Sequence, residues 1–336
     1  MEKPPAKKDP LRNRRAFGSA LRTWFSENST AHPWRQTRDP WAVLVSEIML
    51  LQTTVASVLA NRRFERFLEE FPDLQTMADA PEEKILRAWE GLGYYNRVRN
   101  LQKTARAVLE KFDGAFPRDA ATLESLPGIG RYTAGAVSSF AFDRAAPIVD
   151  GNIARVLARL LDFREAIDST KGREGIWEAA GILLDEREPR LFNSALMELG
   201  QTVCSPRKPA CLVCPVRDFC RTSAPEELPL KKPRRKFVAV EEHALLWMRG
   251  GEILLSPGDD SRRQGFWKFP LRPPEECAHL EPESTHRYVI THHKVTLHLY
   301  REKPRRILPG EIFHSLESLP ELPIATPIRK ILDRLT

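Results

Sequence analysis

The sequence contains no long hydrophobic run. No stretch of its 336 residues approaches the ~18–20 consecutive apolar residues that a membrane-spanning helix needs. The first fifteen residues include Lys3, Lys7, Lys8, Arg12, Arg14 and Arg15 but no apolar stretch, which is unlike a secretory signal. We therefore expect a cytoplasmic protein that makes no contact with a membrane.

An even spread of positive charge is also missing. The net charge is +7, but residues 1–15 hold six basic and two acidic residues, and residues 231–236 hold five basic and no acidic ones. Residues 238–336 balance at fourteen of each sign. Because the basic charge lies in a tail and a linker, it supports nucleic acid binding only weakly, and a solvated tail and linker explain it equally well.

The chain is long enough for two domains of ~100–200 residues each. Residues 14–221 have the apolar spacing of helices separated by turns, with little alternation of period two. One of these helices is predicted to start at Asp39-Pro40, an N-cap followed by proline at the first helical position. The Pro-rich and charged residues 222–237 are predicted to form a linker.

The pattern changes after the linker. Val238–Met248 and Ile253–Leu255 flank a Gly-Gly turn, which predicts a β-hairpin. Val295–Tyr300 alternates like a strand, and Pro327–Leu335 has the spacing of a final helix. The predicted organisation is a helical domain over residues 1–221, a basic linker over 222–237 and a β-containing domain over 238–336.

Cysteine is scarce, and none of the five cysteines precedes Cys204. Four lie within seventeen residues with the spacing C-x6-C-x2-C-x5-C: Cys204, Cys211, Cys214 and Cys220. In a cytoplasmic chain this cluster favours a metal site over disulfides. Tetrahedral zinc and a four-iron cluster both take four cysteine ligands, so spacing alone leaves the two open. The remaining Cys277 is predicted to be a buried structural thiol.

The run Leu126–Gly130 predicts a tight turn between two short helices. Gly128 and Gly130 would let backbone N–H groups approach a phosphate, helped by the positive N-terminal end of the next helix. Such contacts position a protein on a nucleic acid without reading its sequence. An ordinary helix–turn–helix explains the same two glycines.

Two carboxylates stand out by position among 45 acidic residues. Glu47 lies inside the apolar helix 43–51, where burial would raise its pKa and make it a general acid. Asp150 follows an apolar run and precedes Gly151-Asn152 at a predicted helix start. A polar residue on an exposed helix face and a simple N-cap aspartate are the structural alternatives.

Five motifs occur in the order found in the MutY family of adenine DNA glycosylases, within the endonuclease III superfamily. They are the four cysteines, 46–53 (SEIMLLQT), 91–95 (GLGYY), 126–136 (LPGIGRYTAGA) and 149–152 (VDGN). The resemblance spans residues 14 to about 221. It implies a mainly α glycosylase domain with a helix–hairpin–helix and a [4Fe–4S] cluster loop, followed by an α+β Nudix-like domain.

The resemblance also implies roles for individual residues. Glu47 would protonate N7 of adenine, and Asp150 would stabilise the oxocarbenium centre. Tyr132 would pack and hydrogen-bond beside them, and Asn152 would orient the acid or a water. Because related enzymes that also cut the backbone carry a Schiff-base lysine where this chain has Tyr132, and a phenol cannot form an imine, we expect a monofunctional enzyme.

Further positions match residues that contact DNA in the family. Arg35 and Glu198 would contact the flipped adenine, and Gln52 and Tyr94 would wedge into the base stack. The family usually has glutamine where this chain has Leu51, so the mismatch contacts made from that position are not predicted.

The C-terminal region resembles the family's lesion-recognition domain over residues 252–270. It lacks the glutamate-rich helix of Nudix hydrolases, so nucleotide hydrolysis is not expected. Where the family has Phe-Ser-His this chain has Ile290-Thr291-His292, and we expect Thr291 and His292 to bind the lesion. A polar strand edge is the structural alternative.

These features predict hydrolysis of the N-glycosidic bond of adenine mispaired with 8-oxoguanine or guanine, in base excision repair. The expected partner is double-stranded DNA with an adenine mismatch, bound by a monomer associated with the nucleoid. One alternative is a thymine mismatch glycosylase of the same superfamily, which generally lacks the second domain. Others are a non-catalytic DNA-binding scaffold and a zinc-binding regulatory module.

Overall fold

The computed structural model describes residues 11, 13–233, 237–258, 263–290 and 292–335. The chain divides into two compact units. The first comprises the residues up to Asp79 together with Asn100–Pro233, and the second comprises Ala80–Arg99 together with the residues after Pro233. The proposed domain boundaries at residues 221 and 238 stay a prediction. Within the described ranges, no helix has the length and apolar character needed to cross a membrane.

Helices dominate the first unit and are sparse in the second. The helices are α1 (Arg14–Asn28), α2 (Pro40–Leu50), α3 (Val55–Leu59), α4 (Arg63–Glu70), α5 (Leu74–Asp79), α6 (Glu82–Ala88), α7 (Asn96–Phe112), α8 (Ala120–Glu124), α9 (Arg131–Phe142), α10 (Gly151–Leu160), α11 (Thr170–Leu183), α12 (Pro189–Thr202), α13 (Pro274–Cys277) and α14 (Thr326–Leu335). Of these, α6, α13 and α14 belong to the second unit, and α7 contributes residues to both.

The helix starts follow local capping chemistry. The Asp39 side chain accepts hydrogen bonds from the backbone N–H groups of Trp41 and Ala42, and Pro40 is the first residue of α2, as predicted. Asp150 caps α10 in the same way, accepting from the N–H of Ile153. Each cap satisfies donors that the first helical turn leaves unpaired.

The core of the first unit joins distant parts of its sequence. Phe17 of α1, Leu157 of α10 and Phe192 of α12 are buried in one apolar cluster. Tyr132 of α9 and the cysteines Cys204 and Cys214 pack against the edge of this cluster. The core therefore supports the start of α9, the start of α10 and the cysteine loop together.

The strands all lie in the second unit among the described residues. They are β1 (Val238–Leu245), β2 (Met248–Arg249), β3 (Glu252–Pro257), β4 (Trp267–Lys268), β5 (Leu271–Arg272), β6 (Ser284–Ile290), β7 (His293–Tyr300) and β8 (Ile312–Ser315). One sheet has the order β5-β1-β7-β6, and in the other β3 pairs with β2, β4 and β8. Their apolar faces enclose a core that α14 closes with Ile328, Ile331 and Leu332. The predicted strand over residues 295–300 lies within β7, and the last helix forms as predicted.

The predicted hairpin is correct only at its turn. Met248–Arg249 pairs with Glu252–Ile253 across Gly250-Gly251, whose positive φ angles suit glycine. The prediction that residues 238–248 form one strand of this hairpin is wrong. Residues 238–245 instead pair in parallel with β7, about fifty residues away in sequence. Alternating apolar residues predict a strand but do not specify its partner.

Candidate active site

Glu47 is a buried carboxyl group in the first unit. Its side chain points from the apolar helix α2 and the residue is only 4% exposed. Burial raises its pKa from 4.5 to about 7, and the charge of Asp150 acts in the same direction. Hydrogen bonding by Tyr132 and the charge of Arg35 oppose this rise. Of the two alternatives left open by the sequence, the structure therefore supports the buried carboxyl group over the exposed helix face, and Glu47 can hold a proton near neutral pH.

Tyr132 lies in the first turn of α9 and reaches Glu47 across 85 positions of sequence. Its hydroxyl donates a 2.6 Å hydrogen bond to Oε2 of Glu47. Burial, followed by the charges of Glu47 and Asp150, raises the pKa of Tyr132 well above 10. Tyr132 therefore stays protonated and acts only as a hydrogen-bond donor to the carboxyl group.

Asn152 is oriented towards Asp150. Its Nδ2 donates to Oδ2 of Asp150 at 2.9 Å, while Oδ1 of Asp150 accepts from the N–H of Ile153 at 2.7 Å. Arg155, one turn further along α10, donates to Oδ1 of Asn152 at 2.9 Å and thereby selects this amide orientation. Both oxygens of Asp150 are therefore held by hydrogen bonds from α10.

Two cavities of the first unit meet at Glu47. One, of about 400 Å³, is lined by Trp34, Arg35 and Glu47 among others. The second, of about 690 Å³, is lined by Glu47, Gln52, Tyr132, Asp150 and Asn152 among others. The carboxyl group of Glu47 therefore faces one chamber with the dimensions of a small ligand site and another that contains Asp150.

A second buried glutamate holds Arg35, one of the residues that line the first cavity. Glu198 of α12 is 1% exposed and accepts a 2.5 Å hydrogen bond from Nη2 of Arg35. The hydroxyl of Thr30 donates to its other oxygen at 2.8 Å. Burial raises the pKa of Glu198, but the contacts with Arg35 and Thr30 outweigh it and leave the pKa below its usual value. Glu198 therefore favours its deprotonated form, whereas Glu47 favours its protonated form.

The sequence analysis missed an aromatic pair at this cavity. His32 and Trp34 are buried and stacked, with ring centroids 4.9 Å apart and planes inclined by 21°. Burial, then the charge of Arg35, lowers the pKa of His32, so its ring favours the neutral form. The run His32-Pro33-Trp34-Arg35 was the available signal, because it places two rings beside a predicted base-contacting arginine.

The two predicted wedge residues share a backbone conformation. Gln52 and Tyr94 have φ angles of 58° and 49°, in the left-handed region that non-glycine residues rarely adopt. Both side chains are exposed. Gln52 belongs to the first unit and Tyr94 to the second. Each is thus an exposed side chain held at a strained position, as is common at functional sites.

The predicted hairpin joins α8 to α9. Gly128 has a φ of 76°, and a β-carbon there would lie 2.4 Å from the β-carbon of Asn100, so only glycine fits. Gly130 is the N-cap of α9 and has open space around it. The open face leaves the first N–H groups of α9 accessible to an anion.

The four clustered cysteines form a loop after α12 and contain no disulfide. Burial is the main cause that raises the pKa of Cys214 to about 11, and the charges of the other three thiols act in the same direction. Cys214 therefore lies near the other three thiols. No group of three or more His, Cys, Asp or Glu side chains in the described residues is arranged to hold a single metal ion.

Two arginines beneath this loop were also missed. Arg159 is 1% exposed, and its Nη1 donates to Sγ of Cys204 at 3.3 Å and to the carbonyl of Ser205 at 2.7 Å. Arg155 donates to the carbonyl of Cys204 at 2.8 Å as well as to Asn152. The available signal was a pair of arginines four residues apart on an otherwise apolar helix. Their positive charges suit a loop that carries several thiolates.

In the second unit, His292 is an exposed residue in the turn between β6 and β7. Its ring lies 4.0 Å from the ring of His293. Thr291 lies outside the described residues. Cys277 is buried, as predicted.

Comparisons with known protein families match two segments of the chain, the helical region and the cysteine loop. Residues 45–180 match the HhH-GPD superfamily of base excision DNA repair proteins. Residues 204–220 match the iron–sulfur binding domain of endonuclease III. This match decides between zinc and iron–sulfur, and the cofactor is a [4Fe–4S] cluster. The donor set fits it, because each thiolate of such a cluster binds its own iron atom and the four sulfurs need not surround one point.

Individual relatives extend the comparison. The adenine DNA glycosylase of Mus musculus is 44% identical over 215 residues, which cover 61% of this chain and 41% of the relative. That of Buchnera aphidicola subsp. Acyrthosiphon pisum is 31% identical over 244 residues, which cover 69% of each. The chain thus spans about two fifths of the mammalian relative and about two thirds of the bacterial one.

A solved structure agrees with the helical fold. A thermostable thymine-DNA glycosylase superposes with a TM-score of 0.56 and 31% identity, covering 62% of this chain and 94% of that one. The helical fold of this chain is thus similar to that of a DNA glycosylase. The Buchnera relative, which is 31% identical and is covered over 69% of its own length, together with the superfamily match shows that this chain belongs to the adenine DNA glycosylase family of HhH-GPD base excision repair proteins.

Proposed function

We propose that this chain is a monofunctional DNA glycosylase that hydrolyses the N-glycosidic bond of adenine mispaired with 8-oxoguanine or guanine. The observation that carries the proposal is Glu47, a carboxyl group with a pKa of about 7 at the junction of two cavities. A group that holds its proton near neutral pH can donate it to a leaving base. Family membership supports adenine as that base.

The reaction needs a flipped adenine in the 400 Å³ cavity, beside Arg35 and Glu198. Glu47 donates its proton to N7 while Tyr132 keeps the carboxyl group oriented. The bond between N9 and C1′ then breaks, adenine leaves as the neutral base, and positive charge develops on the sugar. Asp150, held by Asn152 and α10, stabilises that charge until water adds to C1′ and releases a proton.

Binding and cofactor assignments follow the same arrangement. The hairpin at Gly128 and Gly130 would bind backbone phosphates of double-stranded DNA, and Gln52 would enter the base stack of the adenine duplex. The four cysteines would hold the cluster, which supplies metal–thiolate bonds that tie the loop together. We further propose that the turn containing His292 reads the oxidised base, that the protein acts as a monomer and that it works at the nucleoid in the cytoplasm.

Single-turnover base release tests the proposal. Duplexes with adenine opposite 8-oxoguanine, adenine opposite guanine and thymine opposite guanine would be incubated with wild type and Glu47→Gln. We expect adenine release, fastest opposite 8-oxoguanine, and a fall of ~10²–10⁴-fold in the variant, which cannot donate the proton. Glu69→Gln is the control, because this exposed glutamate pairs with Arg62 at the surface.

Other outcomes would contradict parts of the proposal. Release of thymine instead of adenine would show that the site takes the base named for the structurally similar glycosylase. No release of any base would favour a non-catalytic DNA-binding protein. Adenine release that ignores the opposite base would leave the chemistry of Glu47 intact and reject lesion reading by His292.

A further inference from the structure

The segment Ala80–Arg99 belongs to the second unit, although it lies in sequence between residues of the first. It contains α6, the loop with Tyr94 and the first turn of α7. The contacts that hold this segment within the second unit determine where Tyr94 is placed.

Ion pairs join α6 and the following loop to the C-terminal residues. Nη2 of Arg87 donates to Oε1 of Glu321 at 2.7 Å. Nε of Arg329, on α14, donates to Oε1 of Glu90 at 2.9 Å, and this pair is largely buried. Arg329 also donates to the carbonyl of Leu322 at 2.7 Å, a second contact that holds its side chain. Glu90 is therefore held by an arginine that is itself anchored in the second unit.

An aromatic contact holds the other side of the loop. The ring of the buried Phe266 lies 4.1 Å from the ring of Tyr95, the residue after Tyr94. Arg99 donates to the carbonyl of Gln264 at 2.6 Å. Gly265 has a φ of 82°, and a β-carbon there would lie 2.4 Å from Nη2 of Arg99, so glycine suits both the backbone conformation and the nearby guanidinium. Residues 264–266 thus contact both Tyr95, directly after Tyr94, and Arg99, in the first turn of α7.

Tyr94 itself is presented outward. It is 50% exposed with a φ of 49°, and Gly93 before it has a φ of 68°. Arg97 supports the loop from behind, because its Nη2 donates to the carbonyls of Leu92 and Gly93 at 2.9 and 3.0 Å. The guanidinium of Arg97 also lies 5.6 Å from the centre of the Tyr94 ring. An exposed aromatic in a strained, well-supported loop marks a contact residue.

We infer that Phe266 and Arg329 are positioning residues that set Tyr94 for insertion into the DNA base stack. Phe266 acts through Tyr95, and Arg329 acts through Glu90. Tyr94 and the turn with His292 would then belong to the same compact unit and would approach the DNA together. This inference rests on the proposed function in that duplex DNA with a mismatched adenine is the ligand.

Fluorescence of bound DNA tests the inference directly. The probe is a duplex with 8-oxoguanine opposite 2′-fluoro-2′-deoxyadenosine, which resists cleavage, and with 2-aminopurine beside the 8-oxoguanine. Insertion of a side chain unstacks 2-aminopurine and raises its fluorescence. We expect a rise with saturating wild type and a rise reduced at least about threefold with Tyr94→Ala, Phe266→Ala or Glu90→Gln, because Gln52 can still enter the base stack in each of these variants.

Matched controls come from the same unit. Phe313→Ala removes a ring whose centre lies 4.9 Å from that of Trp247, so this ring packs against Trp247 and not against the Tyr94 loop. Arg301→Met breaks a two-bond ion pair with Glu283. Both should leave the fluorescence rise unchanged. Equal reductions in the controls and in Phe266→Ala would overturn the inference.

Epistasis separates positioning from general stability. In a Tyr94→Ala background, Phe266→Ala should slow adenine release no further, because its effect passes through the missing ring. A further slowing equal to that in wild type would overturn the inference. A wild type that releases no base would reject the proposed function, while the fluorescence assay would still decide the placement of Tyr94. Wild type that gives no fluorescence rise would overturn the inference whatever its activity.

Discussion

Replacing the buried glutamates Glu47 and Glu198 with glutamine should change stability in opposite directions. The pKa of Glu47 rises on folding from 4.5 to about 7, because burial disfavours its charge. Such a group contributes stability that is present below pH 4.5 and is lost as pH rises through 7. Glu47→Gln removes the group that must be deprotonated at high pH. The variant should therefore be more stable than wild type above pH 7, although it lacks the catalytic proton.

The size of the effect follows from the pKa difference. At 1.36 kcal/mol per pKa unit, a rise from 4.5 to about 7 corresponds to about 3 kcal/mol at pH 8. At pH 5 the difference should fall below about 1 kcal/mol, since the folded group is then protonated and pH 5 lies only slightly above the unfolded pKa of 4.5. Glu47 is almost fully buried, so solvent screening does not reduce this figure.

Glu198→Gln is the matched comparison with the opposite sign. The pKa of Glu198 is held below its usual value by Arg35 and Thr30. Its stability contribution is therefore present above the unfolded pKa and is lost as pH falls through the folded one. Removing its charge leaves Arg35 without its carboxylate, and we expect a loss of roughly 3 kcal/mol at pH 8.

Urea unfolding of wild type and both variants at pH 5 and pH 8 measures these differences as shifts in midpoint. Base release on the same preparations checks that Glu47→Gln has lost activity. A Glu47→Gln variant that unfolds at the same or lower urea concentration than wild type at pH 8 would refute the reasoning. It would mean that burying the charged carboxylate of Glu47 costs less free energy than its pKa difference implies.

Three further changes test separate parts of the site. Tyr132→Phe removes the hydrogen bond that favours the Glu47 carboxylate, so the alkaline limb of the pH–rate profile of base release should move up by about one pH unit; a limb that stays or moves down would contradict this. Wild type treated with borohydride and cleavable duplex should give no trapped covalent product, because Tyr132 cannot form an imine. Gly128→Ala forces a β-carbon against Asn100 and should weaken both folding and duplex binding measured by filter retention, whereas Gly130→Ala, with open space around it, should leave the unfolding midpoint nearly unchanged.

Local chemistry made several features predictable from the sequence. The N-caps at Asp39 and Asp150 depend on side-chain contacts two or three residues away, so short-range pattern is enough to find them. The motif order led to the family, and the cysteine spacing led to the iron–sulfur loop. A buried, proton-holding Glu47 was predictable as a hypothesis, because it interrupts an otherwise apolar helix.

Only the tertiary structure decided which distant groups meet. Tyr132 reaches Glu47 because α9 packs against α2, and β1 pairs with β7, a partner strand that alternation of apolar residues does not identify. The sequence likewise did not show that residues 80–99 pack with the C-terminal region. These outcomes depend on contacts between residues far apart in the chain. Such contacts stabilise the protein only after the helices and strands have packed together. Capping and ligand spacing are settled within a few residues, whereas burial, pKa and strand partners are properties of the packed whole.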